Sequence, residues 1–321
     1  MIKKKLHLLT FILIFFQIQE TLADDIRVAV LKFGSVNWEL DVIKYHKLDK
    51  KNNISISKVE MTNKDAATIA FLSNAADIFI TDWIWVSKQR SRGNLVTFVP
   101  YSTAAGALMV KNDNTILSFE DLKNKKVGIA GGSLDKSWLF LRAYGIKKYG
   151  KDPLKYFKSS FAAPPLINGL LRNNELDAGF NYWNYSARLE AAGYKKLISV
   201  EQILPIIGIN GELPLIGYVF RESYENKNNN TINNFIKASE EARNILKNSN
   251  EEWTRIAHLT RANDSYMLEK IRDSFRNGIP SQDKEVMLKN INHAYKILKN
   301  IGGKRLVGKS NILAPGTIWN N

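Results

Sequence analysis

The sequence predicts an α/β protein made of two lobes, each with a mainly parallel sheet flanked by helices. Strand-like and helix-like patterns alternate through the first two-thirds of the chain, which is typical of parallel sheets. The 321 residues suffice for two domains, at ~100–200 residues per domain. One strand–turn–helix unit also recurs further along the chain, as expected if each lobe contains the same corner.

The N-terminus has the pattern of a secretory signal peptide over residues 1–23. Lysines at 3–5 precede an apolar stretch at 8–18, and Thr21 and Ala23 are small residues at the −3 and −1 positions of a cleavage site. The apolar stretch falls short of the ~20 residues of a membrane-spanning helix. We therefore predict cleavage after Ala23 and export. Because the chain has no cysteine, we expect no lipid anchor and a periplasmic location.

The individual elements follow from local patterns. The predicted strands are short β-branched or aromatic runs that end at turn residues: 26–33, 54–60, 78–80, 95–99, 107–110, 126–130, 178–180 and 216–220. The predicted helices carry apolar residues at a helical period, and four of them fill the C-terminal third: 38–45, 64–72, 231–247, 251–259, 265–275 and 284–300. The stretch LDKSWLFLRAY, which follows GGS at 131–133, also has a helical pattern.

The recurring unit reads LSNAADIFITDWIWVSKQRSRG at 72–93 and LRNNELDAGFNYWNYSARLEAAG at 171–193. Three pairs of identical residues are spaced by 100 positions: Asp77 and Asp177, Trp83 and Trp183, and Gly93 and Gly193. Open α/β sheets bind ligands at the carboxyl ends of their strands. We therefore expect two equivalent corners in two lobes, with Trp83 and Trp183 on opposite walls of one cleft.

Composition argues against several function classes. The formal charge of +15 comes from lysines scattered among asparagines, without the concentrated basic stripe of a nucleic-acid binder. The absence of cysteine excludes disulfides and thiolate zinc sites, and the histidines lack metal-ligand spacing. No nucleophile elbow or phosphate-binding loop motif occurs. We therefore expect no metal, no cofactor, no nucleic-acid partner and no enzymatic activity.

Six stretches occur in an order and spacing typical of one protein family. They are IRVAVLKFGSVN, FLSNAADIFITDW, FVPYSTAAGALMVKND, SFEDLKNKKVGIAGGS, AAPPLINGLLRNNELDAGFNYWNYSARLEAAG and PLIGYVFRESY, and they cover most of residues 26–224. With these motifs the chain resembles the substrate-binding proteins of ABC importers of the nitrate/taurine/aliphatic-sulfonate type. That family also includes binders of the thiamine pyrimidine precursor. Its enzyme branch depends on a cysteine-rich motif, which this chain lacks.

The resemblance implies a type II periplasmic-binding-protein fold that closes on its ligand by a hinge motion. Lobe 1 would comprise residues 24–105 and 221–321, and lobe 2 residues 106–220. Two crossover strands, at 107–110 and 216–220, would join them. The implied partners are a small-molecule ligand and a membrane permease with its cytoplasmic ATPase, and the protein is expected to be a monomer.

Carried over by position, the family's ligand contacts lie on loops after strands. They fall on Lys32, Phe33, Ser35, Asn37, Trp38, Asp82, Trp83, Tyr101, Ser102, Gly132, Ser133, Leu134, Asn181, Tyr182 and Trp183. Independently of the resemblance, Gly132 and Ser133 follow a strand and precede a helix. Ser133 could cap that helix there, and free backbone N–H groups could receive an anionic or polar group.

The sequence leaves two hypotheses for the ligand class, and they differ in the role given to Asp82. Because an unpaired buried charge is costly, Asp82 among aromatic residues favours a small nitrogen-containing or aromatic ligand. If Asp82 instead only caps the helix beginning at Trp83, a sulfonate, taurine or nitrate-type anion could bind to Lys32 and the backbone at 132–133. A stand-alone periplasmic accessory or sensor role is a further alternative.

Overall fold

The computed structural model describes residues 24–113, 115–281 and 283–320. The signal peptide expected at 1–23 lies outside these residues. The strands are β1 (Asp24–Leu31), β2 (Ile54–Met61), β3 (Ile78–Thr81), β4 (Val96–Ser102), β5 (Ala107–Val110), β6 (Lys126–Ala130), β7 (Lys158–Ala162), β8 (Ala178–Asn181), β9 (Lys195–Ser199) and β10 (Ile216–Arg221).

Helices fill most of the remaining chain. They are α1 (Val36–Tyr45), α2 (Leu48–Lys51), α3 (Lys64–Leu72), α4 (Trp83–Arg90), α5 (Lys136–Tyr149), α6 (Pro153–Tyr156), α7 (Pro164–Arg172), α8 (Trp183–Ala191), α9 (Val200–Ile206), α10 (Glu222–Glu225), α11 (Asn229–Asn248), α12 (Asn250–Arg255), α13 (Ala257–Thr260), α14 (Ser265–Asn277) and α15 (Lys284–Val307). A 3-10 turn occupies Glu120–Leu122. α15 is interrupted at Gly303, whose φ of +61° suits a residue without a Cβ atom.

The strands form two five-stranded sheets, which confirms the predicted α/β architecture. The first sheet has the order β2-β1-β3-β10-β4 and the second the order β7-β6-β8-β5-β9. In the first sheet only β10 runs against its neighbours, and in the second only β5 does. Each sheet is therefore mainly parallel in direction and carries one reversed strand.

The chain passes between the sheets at residues 103–106 and again at 207–215. Each strand expected to be a crossover pairs within one sheet only, and β10 pairs with β3 and β4 of the first sheet. The sequence-based boundary at residue 220 therefore falls too late, because β10 completes the first sheet. The first passage runs close to β8, since a Cβ atom on Gly106 would lie 1.6 Å from the Asn181 carbonyl oxygen.

The repeat seen in the sequence is a structural repeat. α3, β3 and α4 recur as α7, β8 and α8 with the starts of all three elements shifted by 100 positions. Asp77 and Asp177 also have the same role, because each accepts a backbone N–H from the neighbouring parallel strand, from Arg27 and Lys126 respectively. Gly93 and Gly193 both have positive φ, at +89° and +86°, a conformation that glycine adopts readily because it has no Cβ atom.

The C-terminal third of the chain connects the two lobes. α14 packs against α8 of the second lobe, and α15 contacts both α4 of the first lobe and α5 of the second. Beyond α15 the chain returns along β4, where Phe98 donates its N–H to the Thr317 carbonyl and its own carbonyl accepts the Trp319 N–H. This last segment covers the otherwise open edge of the first sheet.

The two repeat aspartates differ in their bonds, and this difference predicts unequal effects on stability. Asp77 also binds the Arg27 guanidinium, at 2.8 and 3.0 Å, whereas Asp177 accepts the Lys126 N–H at 2.7 Å. Asp77→Ala should lower the free energy of unfolding by about 2–3 kcal/mol, and Asp177→Ala by about 1 kcal/mol. Urea unfolding of both variants measures this, and equal losses would contradict it.

Candidate functional site

The two lobes meet at an ionic cluster built around Asp82, at the carboxyl end of β3. One carboxylate oxygen, Oδ1, accepts the Trp85 backbone N–H at 2.9 Å and so caps α4. The other, Oδ2, accepts two ammonium groups, from Lys64 at 3.1 Å and from Lys136 at 2.9 Å. We call these three residues the Lys64–Asp82–Lys136 triad.

The triad crosses between the lobes. Lys64 begins α3 in the first lobe, and Lys136 begins α5 in the second. The side chains of Asp82 and Lys136 are 9% and 15% exposed, whereas that of Lys64 is 55% exposed. The pair between Asp82 and Lys136 is therefore largely shielded from water, while Lys64 borders solvent.

Mutual attraction shifts the pKa values of Asp82 and Lys64 so that both are charged at neutral pH. Burial alone would raise the pKa of the Asp82 carboxyl, but the ammonium groups of Lys136 and Lys64 and the Trp85 N–H hold that pKa far below its usual range. The Asp82 charge in turn raises the pKa of Lys64. Two positive charges thus share one negative charge. Within the described ranges, neither ammonium donates a further hydrogen bond, although each has three N–H donors.

A second carboxylate, Asp135, lies beside the triad and has partners of its own. Its Oδ1 accepts the backbone N–H groups of Ser137 at 2.9 Å and Trp138 at 3.4 Å, which caps α5. Its Oδ2 accepts the Tyr182 hydroxyl at 3.2 Å. Burial and the adjacent Asp135 raise the pKa of Tyr182 well above its usual range, so this phenol stays protonated and donates.

Several helix N-termini meet at this cluster. α3, α4 and α5 begin at or next to the triad, and α8 begins after Tyr182. Asn181, the last residue of β8, connects this region to the start of α7, because its side chain donates to the Pro164 carbonyl at 2.8 Å. α7 and α8 have no side-chain cap. Helix N-termini carry partial positive charge and free N–H donors, so this arrangement favours an anionic group.

The glycine-rich turn after β6 lies against the cluster. A Cβ atom on Gly131 would lie 2.7 Å from the Tyr182 hydroxyl. Gly132 and Ser133 are exposed and Leu134 is half-buried. The expectation that Ser133 caps the following helix is wrong, because Asp135 makes that cap. The helix begins two residues further along the chain than GGS indicated.

Trp83 and Trp183 do not line opposite walls of a cleft. Trp83 is completely buried, and its Nε1 donates to the Pro214 carbonyl at 2.7 Å. Trp183 reaches the first lobe, where its ring lies 6.0 Å from that of Trp38 and 6.2 Å from that of Phe275. The prediction that Trp83 and Trp183 face each other across a cleft is therefore wrong. Each tryptophan holds elements together by packing.

The predicted contacts near the end of β1 divide into exposed and buried groups. Lys32 and Phe33 are exposed, and the Arg261 guanidinium lies 3.8 Å from the Phe33 ring centre. Ser35 and Asn37 are half-buried, and Asn37 donates to two carbonyls of its own loop. Trp38 is buried, and its ring N–H donates to the Leu259 carbonyl.

Two further predicted contacts serve the core. Tyr101 is 2% exposed and packs edge-on against Tyr218. Asn181 is also 2% exposed. Its side-chain NH₂ group donates to the Pro164 carbonyl and to Asn168 Oδ1, and its own Oδ1 accepts the Tyr182 backbone N–H. Both side chains are therefore enclosed by neighbouring residues of the protein. Ser102 is half-buried at the end of β4, where its hydroxyl accepts the Ala104 N–H.

Sequence reasoning missed Lys64, Lys136 and Asp135. A signal for the lysines was present, because each is the first residue of a helix, where a positive charge opposes the helix dipole. Such a placement is unfavourable without a compensating anion. Two lysines at helix starts, each after a capping residue (Asn63 or Asp135), therefore indicated a shared counter-charge.

Other features of the described residues do not compete with this cluster. They contain no group of three potential metal ligands. Nor do they include a helix both long and apolar enough to cross a bilayer. A groove of about 470 Å³ lies elsewhere, between α11 and α15. It is lined mainly by apolar side chains of the first lobe, and the triad does not border it.

Comparisons with known proteins agree with this architecture. The family model described as NMT1/THI5 like matches residues 50–252. A search of curated protein sequences finds no match. Many solved structures share the fold.

Three of the similar structures show the extent of the likeness. The periplasmic aliphatic sulphonate binding protein SsuA from Escherichia coli is 20% identical, with a TM-score of 0.72 over 92% of this chain and 92% of that chain. The alkanesulfonate-binding protein SsuA from Xanthomonas axonopodis pv. citri, bound to MOPS, is 15% identical, with a TM-score of 0.69 over 92% and 98%. An ABC transporter structure from Parabacteroides distasonis is 12% identical, with a TM-score of 0.68 over 92% and 99%. These TM-scores establish a shared fold.

Removing the Asp82 charge should destabilise the protein in a pH-dependent way. Asparagine is an equally good helix cap, so Asp82→Asn removes mainly the two ion pairs and should cost about 2–3 kcal/mol near pH 7, because it leaves Lys136 buried without a counter-ion. The folded-state pKa of Asp82 is depressed, so its contribution is complete above the unfolded pKa of about 3.9. The difference between wild type and variant should therefore shrink as the pH falls below about 4.

Urea unfolding at pH 7, 5 and 3.5 measures this difference. Asp264→Asn is the matched control, because Asp264 caps α14 through the Met267 N–H, and its substitution should leave stability nearly unchanged. A difference for Asp82→Asn that stays constant or grows on acidification would contradict the assignment.

Proposed function

The chain belongs to the NMT1/THI5-like family, and from this membership we propose that it is an extracytoplasmic solute-binding protein of an ABC importer. It would capture a small molecule by closing two lobes and deliver it to the membrane permease. The fold shared with binding components of such importers supports this proposal. So do the two passages between the sheets, at 103–106 and 207–215, which are suited to a hinge motion.

The proposed setting is the periplasm, reached through a signal peptide cleaved after Ala23, where the protein acts as a monomer. Its role is binding without turnover. A periplasmic sensor or accessory protein of the same fold would share these properties. Co-purification with a permease encoded beside this chain distinguishes the importer component from a stand-alone binder.

We propose that the ligand carries an anionic group, and one observation carries this proposal. Lysines from opposite lobes converge on a single oxygen of Asp82, which leaves an excess of positive charge among several helix N-termini. An anion at this place would contact both lobes at once and so favour their closure. Its contacts would come from Lys64, Lys136 and the backbone at 132–133.

The main argument for the alternative ligand class, an amine or a protonated ring nitrogen bound by Asp82, no longer applies. That argument required an unpaired carboxylate, and Asp82 is paired with two lysines and a backbone N–H. A nitrogen-containing or aromatic body is still compatible with the ligand. The exposed Phe33 ring and the half-buried Tyr182 could pack against such a body.

A thermal-shift panel tests the ligand class. Alkanesulfonates, taurine, nitrate, pyrimidines and simple amines should be compared on the mature protein. A ligand at ~100 times its dissociation constant adds about 2.7 kcal/mol to the free energy of unfolding, which gives a measurable rise in Tm. We expect the anionic compounds to raise Tm. A rise with amines or neutral pyrimidines alone would overturn the anion proposal.

Lys136 should be required for anion binding. In Lys136→Met the only ammonium of the triad that is largely shielded from water is lost, and a charge-assisted contact to the ligand goes with it. We expect affinity for the best anion of the panel to fall by about tenfold or more, equivalent to 1.4 kcal/mol. Isothermal titration calorimetry measures this change.

Lys147→Met is the matched control, because Lys147 is an exposed lysine in the same helix, α5, far along from its start. It should bind the anion as the wild type does. Equal affinities of the wild type and Lys136→Met would show that the triad is not the ligand site.

A further inference from the structure

We propose that the groove between α11 and α15 is a second binding site, which takes a small carboxylate with an aliphatic body. The triad does not border this groove, so the inference goes beyond the function proposed for the cleft. The volume of the groove is about 470 Å³. Sites for small molecules typically measure ~300–1,000 Å³ and combine an apolar lining with a few polar groups.

Most of the lining is apolar and comes from several elements. Val99 of β4 contributes to it, as does Ile318 from the segment that runs along β4. Ile236 lies on the α11 side, and Met287 and Leu288 lie on the α15 side. The last two side chains are half-buried, so apolar surface in the groove remains in contact with water. An aliphatic ligand that covers this surface gains hydrophobic stabilisation.

Arg243 brings a charged group to the apolar surface. Its side chain lines the groove and is 10% exposed. Nη1 donates to the Tyr101 carbonyl at 3.2 Å, whereas Nε is enclosed and has no hydrogen-bond partner. Within the described part of the chain, Nη2 donates no hydrogen bond. A guanidinium has five N–H donors in a planar fork that matches a carboxylate, so Arg243 keeps donors for a ligand.

A buried carboxyl group positions Arg243 at the groove. Glu39 is completely buried, and its Oε1 accepts the Tyr218 hydroxyl at 2.6 Å. Its Oε2 lies 3.9 Å from Arg243 Nε, which is too far for a hydrogen bond. Burial raises the pKa of the Glu39 carboxyl, against the effect of the Arg243 charge. Glu39 therefore offsets part of the guanidinium charge and leaves the donors at Nη2 unused.

The charged residues that line the groove favour an anion. Three of the four are basic, namely Arg243, Lys247 and Lys284, and the fourth is Glu240. Lys247 follows Arg243 by four positions on α11 and so lies on the same face of that helix. Lys284 begins α15 on the other side of the groove. A carboxylate in the groove would therefore meet positive charge from both helices, while its aliphatic body covers the apolar lining.

Octanoate tests the site, with octanol and acetate as partial probes. Octanol has the chain without the charge, and acetate has the charge without the chain. Each compound is titrated into the mature protein by calorimetry at low ionic strength, because salt screens interactions of exposed charges. We expect octanoate to bind about tenfold or more tightly than either partial probe, since it alone uses both the lining and the basic groups.

Two substitutions in the groove have matched controls. Lys247→Glu reverses a charge beside Arg243 and should weaken octanoate binding about tenfold or more. Lys237→Glu makes the same change at an exposed lysine of α11 outside the lining, and it should bind as the wild type does. Met287→Glu places a carboxylate in the α15 side and should also weaken binding. Val286→Glu, at an exposed neighbouring position outside the lining, should not.

The outcomes separate this site from the cleft. Lys136→Met alters the triad and should leave octanoate affinity unchanged, whereas a loss of octanoate binding in this variant would place the compound in the cleft and overturn the second site. Octanoate that does not bind, that binds no better than octanol, or that binds Lys247→Glu as it binds Lys237→Glu would each overturn the inference. Because Lys247 is exposed, Lys247→Glu still decides the matter if Met287→Glu does not fold by circular dichroism.

Discussion

A carboxylate that is withdrawn from water needs a partner, and Asp82 has two of them where the lobes meet. The same residue caps α4 with one oxygen and binds lysines of both lobes with the other. Helix start, lobe contact and site charge therefore depend on one side chain. The positive charges of Lys64 and Lys136 at the starts of α3 and α5 interact unfavourably with the helix dipoles. The Asp82 carboxylate offsets this cost.

The surrounding architecture brings these groups to one point. Each lobe repeats the same helix–strand–helix corner, so a strand end and a helix start from each lobe lie near the contact. α8 also reaches the first lobe, where the Arg188 guanidinium donates to the Thr260 carbonyl at 2.6 Å. The repeat tryptophans reinforce this arrangement by packing.

Much of the fold was readable from local sequence. The alternation of patterns, the hundred-residue repeat and most strand positions are confirmed. β7 and β9 were missed, since their runs KSSFA and KKLIS carry few of the residues that mark a buried strand. The division at residue 220 failed for another reason. β10 is apolar and could pair with either sheet, so its membership depends on long-range pairing and not on its own composition.

Of the site, sequence alone determined Asp82 and its neighbours at the strand ends, because turn and cap chemistry is local. It also determined that Trp83 and Trp183 are equivalent. Only the tertiary structure decided that Trp83 is buried, that Asp82 is already paired, and that Lys64 and Lys136 belong to the site. The reason is physical: burial and charge pairing are set by which side chains meet across the lobes, and Lys64 and Lys136 are separated by 72 positions along the chain before folding places both on one oxygen.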